Sequence, residues 1–168
     1  GMIIAGKRDV VLLNADTVVC DHWLDNLAAA AAQDERIGTV TPFSNNGEIA
    51  TVPYICKSIP VESIRTAEAV NEAAGRLNRG KLVDLPVAIG FCMMIRHRCL
   101  EDIGLFDAEK WGRGYGEEVD FCLKAAARGW RHVLTGDTFM IHRGAVSFGD
   151  EKLQRIIESG RKISETYP

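Results

Sequence analysis

The fold is constrained most by short, wholly apolar runs that alternate with segments of helical periodicity. Val10–Leu13 is apolar throughout and begins with β-branched residues, and a polar turn follows it at once. Such a run fits a strand buried on both faces. Ile37–Phe43 and Val83–Ile95 are further strand candidates, and Pro86 and Gly90 predict an edge, a bend or a bulge within the second.

The segments between these runs carry helix signals. After Asp21, a predicted N-cap, apolar residues recur at the i, i+3, i+4 and i+7 positions of an amphipathic helix. The predicted helices cover Asp21 to about Ala32, Ser63 to about Arg79, Arg98–Ile103, about 117–128 before Gly129, and a last one from Asp150; short strands are predicted at Arg131–Leu134 and Thr138–Ile141. This alternation predicts an α/β fold, with a mixed, mostly parallel sheet flanked by helices.

Composition narrows the class of protein. The 168 residues fit one domain (2–168, with Gly1 interpreted as a residue left by tag removal), and 46% hydrophobic and 26% charged residues are ordinary for a globular chain. A net charge of −3 gives no basic face for nucleic acid. The longest apolar run, Val87–Ile95, is nine residues, whereas a membrane-spanning helix needs about 20. Five cysteines without a CxxC pair indicate a reduced, intracellular protein.

The first candidate site is Asn14-Ala15-Asp16, directly after the first predicted strand. Ligands of open α/β sheets bind at the carboxyl ends of strands, and a carboxylate there can hold a hard divalent cation. Asn and Asp also favour turns, which is the simpler interpretation of these three residues alone.

The second candidate is the acidic group Glu117, Glu118 and Asp120, which follows the glycine-spaced loop Gly112–Gly116. Mutual repulsion raises the pKa of at least one such carboxyl and makes it a candidate general base. Stabilisation of acidic residues by a helix dipole is the alternative. The loop lacks the lysine of a P-loop and opens onto negative charge, so it is not a phosphate cradle.

The third candidate is His142, at the end of an apolar strand. An imidazole there can bind a metal ion, although a lone histidine more often has a structural hydrogen-bonding role. No cysteine or histidine spacing fits a structural zinc site.

Taken in order, these segments resemble the bacterial family 2 glycosyltransferases. The resemblance runs from about residue 8 to 149, and Thr39–Asn46 looks like the rhamnosyltransferase-like subgroup of polysaccharide assembly. The matching blocks are the strand ending in Asn14–Thr17, then Gly90–Arg96, Ile103–Asp107, Gly114–Ala125, Gly129–Trp130 and Ile141–Ser147.

The resemblance implies a GT-A fold and an inverting, metal-dependent sugar transfer. Asp16 falls at the metal-binding aspartate of the DxD motif, Asn14 at its first position, and His142 at a histidine that can complete a site for Mg²⁺ or Mn²⁺. Glu117 and Glu118 fall at the catalytic Glu-Asp pair, which leaves open which of them is the base. The remaining site residues are Asp120, a third catalytic carboxylate more suited to orienting the helix start, and the substrate contacts Asn14, Gly90, Gly114, Tyr115 and Trp111.

The resemblance also implies partners. The donor would be a nucleotide-diphosphate sugar and the acceptor a glycan or lipid-linked molecule of cell-surface polysaccharide synthesis. The expected location is the cytoplasm, peripheral at the inner face of the membrane.

The chain resembles only the C-terminal two-thirds of that domain, without the N-terminal nucleotide-binding strands. A sheet without those strands exposes an edge that a second copy could cover, so a homo-oligomer is expected. The isolated chain is expected to have little or no transferase activity. The alternatives are a non-catalytic sugar- or nucleotide-binding or scaffolding remnant and, third, a metal-dependent hydrolase.

Overall fold

The computed structural model describes residues 2–61, 63–112, 115–144 and 149–168. The helices are α1 (Met2–Ala5), α2 (Trp23–Ala31), α3 (Ile64–Asn78), α4 (His97–Ile103), α5 (Ala108–Trp111), α6 (Glu117–Ala127) and α7 (Gly149–Thr166). The strands are β1 (Val10–Leu13), β2 (Thr17–Val18), β3 (Ile37–Ser44), β4 (Leu82–Leu85), β5 (Cys92–Ile95) and β6 (Arg131–His142).

The described strands form one mixed sheet in the order β1-β5-β3-β6-β2, with β4 also paired to β6. The β3–β6 pair is parallel, whereas the pairs β1–β5, β3–β5, β4–β6 and β2–β6 are antiparallel. The predicted mixed sheet is therefore confirmed, but the expectation of a mostly parallel one is wrong for the described strands. The reason is that β5 lies between β1 and β3 and runs antiparallel to both, and β6 runs antiparallel to β4 and to β2.

Strand β6 is one long element where the sequence predicted two short strands. Opposite β3, Pro42 pairs with Thr135 but Phe43 pairs with Phe139, so β6 accommodates extra residues within its length. This irregularity has the character of a β-bulge, which bends a strand without ending it. The predicted strand Val83–Ile95, by contrast, divides into β4 and β5, which is a larger interruption than the edge, bend or bulge predicted from Pro86 and Gly90.

Helices cover both faces of the sheet because side chains alternate along the strands. In β5, Cys92 and Met94 belong to the core that α2 completes with Leu27. Met93 and Ile95 point to the opposite core, which α4 and α6 complete with buried residues such as Phe121. This period-two alternation is that of a sheet buried on both sides.

The helix starts follow the sequence in part. Helix α3 begins next to Ser63, where a helix was predicted, and the Ser63 hydroxyl caps it by accepting a hydrogen bond from the Thr66 N–H. For α2 the predicted cap is wrong: His22, at φ 61°, stands at the N-cap, and the Asp21 N–H donates to Glu68. No helix among the described residues is long and apolar enough to cross a membrane.

Candidate active site

The end of β1 is tied to the end of β6 through Asp16. The Asp16 carboxylate accepts a hydrogen bond from the Gly144 N–H at 3.0 Å, and the Asp16 backbone carbonyl accepts one from the Arg143 N–H at 3.1 Å. A Cβ at Gly144, whose φ is +60°, would collide with the Asn46 side chain. A glycine is therefore needed where β6 passes this carboxylate.

The His142 ring is held in one orientation by its neighbours. Its Nδ1 lies 2.6 Å from the Asn46 carbonyl oxygen, and its backbone N–H donates to the Asn45 side chain at 2.9 Å. The ring stacks on Phe91 with centroids 5.3 Å apart. Because a carbonyl oxygen can only accept a hydrogen bond, Nδ1 carries the ring proton. Nε2 is then the ring nitrogen whose lone pair is available to other groups.

Nε2 of His142 faces the Asp16 carboxylate and the Asn14 side-chain amide, which follow the end of β1. The Asp16 Oδ1 lies 3.4 Å away, and the Asn14 Nδ2 also lies 3.4 Å away. Both separations are long for a direct hydrogen bond, so a carboxylate oxygen and a ring lone pair converge without bonding tightly. Convergence of this kind suits a cation. A metal-bound histidine usually donates its other ring N–H to an acceptor such as a backbone carbonyl, as the His142 Nδ1 does here.

Asp16 and His142 are the two candidate carboxylate and imidazole ligands of this arrangement in the part of the chain that the structure describes. No group of three or more His, Cys, Asp or Glu residues suited to a metal exists among the described residues. Mg²⁺ and similar cations are commonly bound by one or two carboxylates, with substrate phosphates and water filling the other positions. The residues present therefore fit a cation that is shared with a phosphate-bearing substrate.

The segment between β4 and β5 connects this site with the acidic pair at the start of α6. The Phe91 carbonyl accepts the Asn14 N–H at 2.9 Å, while its ring contacts His142. One residue earlier, a Cβ at Gly90 would lie 3.5 Å from the Glu118 Oε1. Gly90 thus leaves room directly beside Glu118.

Glu117 and Glu118 are half-buried and incompletely partnered. Their side chains hydrogen-bond to each other, yet the Oε2 atom of each is buried without a partner among the described residues. Burial, and next the charge of Glu118, raises the pKa of Glu117. The nearby Trp111, 6% exposed, also has an unpartnered indole N–H. Buried polar atoms without partners are rare, and these three are suited to contact a bound molecule that carries both donors and acceptors.

Asp120, the third predicted carboxylate, bonds to residues other than Glu117 and Glu118. Its oxygens accept from Lys110 at 2.9 Å, Lys124 at 2.6 Å and Tyr167 at 2.8 Å, and it is only 2% exposed. Burial alone would raise the pKa of Asp120, but these hydrogen bonds outweigh it and lower the pKa to about 2. A carboxylate so occupied suits the orienting role better than that of a base.

Of the two remaining predicted substrate contacts, Tyr115 and Gly114, the structure describes only the first. Tyr115 is half-buried at φ 68°, just before α6, whereas Gly114 lies outside the described residues. Sequence reasoning missed the contacts of Asn45, Asn46 and Phe91 with His142. The polar loop that follows β3 was the available signal for the two asparagines, but the Asn46 contact is made by a carbonyl that every residue has.

The overall fold matches a solved GT-A glycosyltransferase. The crystal structure of GalNAc-T7 with UDP, GalNAc and Mn²⁺ superposes with a TM-score of 0.61 at 16% sequence identity. The match covers 95% of this chain and 33% of that protein, so the chain spans about a third of its length. No curated protein matches the sequence significantly.

The fold of the chain is therefore that of the GT-A glycosyltransferases. The family model described as "Glycosyltransferase like family 2" matches residues 2–155. The chain belongs to this family.

Proposed function

We propose that the chain carries the catalytic part of an inverting, metal-dependent glycosyltransferase. It would transfer a sugar from a nucleotide-diphosphate donor to a hydroxyl group of an acceptor. The observation that carries the proposal is the convergence of Asp16 and the fixed Nε2 of His142, with the half-buried pair Glu117 and Glu118 on the other side of the Gly90–Phe91 segment.

Asp16 and His142 would hold Mg²⁺ or Mn²⁺, with the Asn14 amide beside them. The bound ion would neutralise charge on the diphosphate as it departs. GalNAc-T7, which has this fold, was crystallised with UDP and Mn²⁺, and that supports the assignment. The Asn46 carbonyl keeps the His142 ring ready for the ion by fixing the proton on Nδ1.

Glu118 would act as the general base. As the acceptor oxygen forms its bond to the anomeric carbon, the carboxylate takes the hydroxyl proton, and the bond from that carbon to the diphosphate breaks. The side-chain-free Gly90 gives the acceptor access to Glu118. Glu117, whose pKa is raised by burial and by Glu118, would share the proton within the pair.

The unpartnered Trp111 indole N–H would donate to a sugar oxygen, and Tyr115 and Gly114 would line the acceptor side. The acceptor would be a glycan or a lipid-linked molecule of cell-surface polysaccharide synthesis, at the cytoplasmic face of the membrane. These finer assignments rest on the resemblance of the motifs.

A direct test is Mn²⁺ binding followed by NMR. Paramagnetic broadening should be strongest at the backbone amides around Asp16 and His142, and Asp16→Asn should weaken Mn²⁺ binding about 10- to 100-fold. Asp25→Asn, which changes an exposed aspartate of α2, is the matched control and should bind as the original protein does. His142→Gln provides a second variant if Asp16→Asn unfolds.

Equal Mn²⁺ affinity in Asp16→Asn and Asp25→Asn would contradict the proposed site. In any form of the protein that turns over a nucleotide sugar, Glu118→Gln should leave Mn²⁺ affinity unchanged and reduce transfer about 10²- to 10⁴-fold. Unchanged turnover would remove Glu118 as the base.

A further inference from the structure

Three helices meet at one buried carboxylate, that of Asp120 in α6. Lys110 reaches it from α5, Lys124 from the next turn of α6, and Tyr167 from the residue that follows α7. The Tyr167 hydroxyl also lies 3.4 Å from the Asp120 carbonyl oxygen. We call Asp120 and its three donors, Lys110, Lys124 and Tyr167, the Asp120 network.

The aromatic packing around the network is close. The Lys110 ammonium lies 4.8 Å from the Trp111 ring centroid and 5.7 Å from that of Tyr167. A Cβ at Gly116, whose φ is +120°, would stand 2.5 Å from the Trp111 ring and 3.3 Å from the Ser159 Cβ of α7. Helix α7 therefore contacts the start of α6 at two places, through Ser159 and through Tyr167.

The network sits where it can control the acidic pair. Lys110 and Asp120 lie on opposite sides of the Gly112–Gly116 segment in the chain, so their ion pair joins the two ends of that segment. Glu117 and Asp120 are three positions apart, which places them as neighbours on the first turn of α6. Any rotation or fraying of that turn that frees Asp120 also moves the Glu117 and Glu118 side chains.

We propose that Tyr167 is a positioning residue for the reaction: its hydrogen bond to Asp120 holds α7 against the start of α6 and so keeps the Glu117–Glu118 pair buried beside Gly90. This inference rests on the proposed function, in which that pair receives the acceptor proton. Tyr167 itself need not touch substrate. The two lysines alone would neutralise Asp120, so the tyrosine is explained by docking α7 rather than by charge balance.

The test compares Tyr167→Phe with Tyr54→Phe, since each removes one phenolic oxygen and Tyr54 is 63% exposed. Absorbance titration first confirms the contact in solution. Burial, and next the hydrogen bond to Asp120 and the charge of Asp120, raise the pKa of Tyr167 to about 12. The phenol ionisation step near pH 12 should be absent from the titration of Tyr167→Phe and present in that of Tyr54→Phe.

The deciding measurement is the titration of the Glu117 side-chain carboxyl by ¹³C NMR, together with amide exchange over 117–121. If Tyr167 positions the pair, Tyr167→Phe moves the Glu117 midpoint down toward that of an exposed glutamate. It also speeds exchange about tenfold, as the loss of a hydrogen bond to a charged group would. Tyr54→Phe should leave both unchanged.

A lower melting temperature with an unmoved Glu117 midpoint would show a merely structural role and would overturn the proposal. Equal Glu117 midpoints and equal amide exchange rates in Tyr167→Phe and Tyr54→Phe would also overturn the proposal. These readouts need neither metal nor turnover. Equal Mn²⁺ affinity of Asp16→Asn and Asp25→Asn in the earlier test would therefore count against the proposed function alone, whereas an unmoved Glu117 midpoint counts against the role of Tyr167 alone.

Discussion

A backbone carbonyl, that of Asn46, determines how the His142 side chain can be used. By accepting from Nδ1 it leaves Nε2 as the nitrogen that faces Asp16. The sequence indicated both His142 and Asp16, because each ends an apolar run with a polar side chain. It could not indicate the Asn46 contact, since a carbonyl acceptor has no residue type of its own.

His132 provides a residue-scale prediction about pH. The ring is 2% exposed, with Thr39 Oγ1 2.8 Å from Nδ1 and the Cys122 carbonyl oxygen 2.9 Å from Nε2. Burial lowers the pKa of His132 from its usual 6.5. The unfolded chain therefore takes up a proton below about pH 6.5 that the folded chain resists, so stability is lost as the pH falls through that value.

Urea unfolding at pH 7.5 and 5.5 should show a loss of about 1 kcal/mol, within the limit of about 1.4 kcal/mol per pH unit. His132→Gln should reduce this loss. His22→Asn, at an exposed histidine of positive φ where asparagine is tolerated, should retain it. A pH dependence that survives in His132→Gln would assign the effect to another group.

At the scale of elements, local signals sufficed where one segment carried them. The periodicity of residues 63–79 predicted helix α3, and the predicted helix Arg98–Ile103 matches α4 to within one residue. Strand β6 was divided in the prediction because Gly136 and Asp137 are typical of a turn. Pairing with β3 and β4 overrides that preference, and such pairing is not visible in the segment itself.

Asn71 joins α3 to the sheet and gives the element-scale prediction. Its side chain accepts the Phe139 N–H of β6 at 2.9 Å and donates to the Asp21 carbonyl at 3.1 Å. Asn71→Leu would leave the buried Phe139 N–H without a partner and would remove the donor to the Asp21 carbonyl. We expect a loss of about 2–3 kcal/mol in the free energy of unfolding, measured in urea.

Glu72→Leu is the control for Asn71→Leu, because it adds the same side chain at the adjacent, exposed position of α3. Its effect should stay within about 0.5 kcal/mol. A similarly small effect of Asn71→Leu would show that water satisfies the Phe139 and Asp21 groups.

At the scale of the molecule, the sequence predicted the α/β class but not the strand directions. Apolar runs indicate burial on two faces, and both parallel and antiparallel pairs satisfy that requirement. The order β1-β5-β3-β6-β2 depends on contacts between segments far apart in the chain, the farthest being Thr17 of β2 with His142 of β6. Such contacts leave no periodicity in either segment.

Strand β1 supports a prediction about assembly. Among the described strands it has one neighbour, β5, and the adjoining α1 exposes Ile3 and Ile4 by 80% and 82%. Open edges with apolar neighbours favour pairing with another chain. We expect concentration-dependent self-association in sedimentation velocity, reduced by the double substitution Ile3→Lys with Ile4→Lys.

The control changes Ile156 and Ile157 of α7, which are also exposed, to lysine. This variant should associate as the original chain does. A chain that stays monomeric over a tenfold concentration range, or equal loss in both variants, would contradict assembly through the β1 edge.

The continuity of β6 has a consequence for how the chain can vary in length. The strand leads from Arg131, which pairs with Asp34 and Asp84, to His142. Deleting one residue within it would turn every later side chain to the other face, so His142 would leave Asn46 and Asp16 together. Insertions and deletions should therefore be tolerated in the connecting loops and rejected in β6.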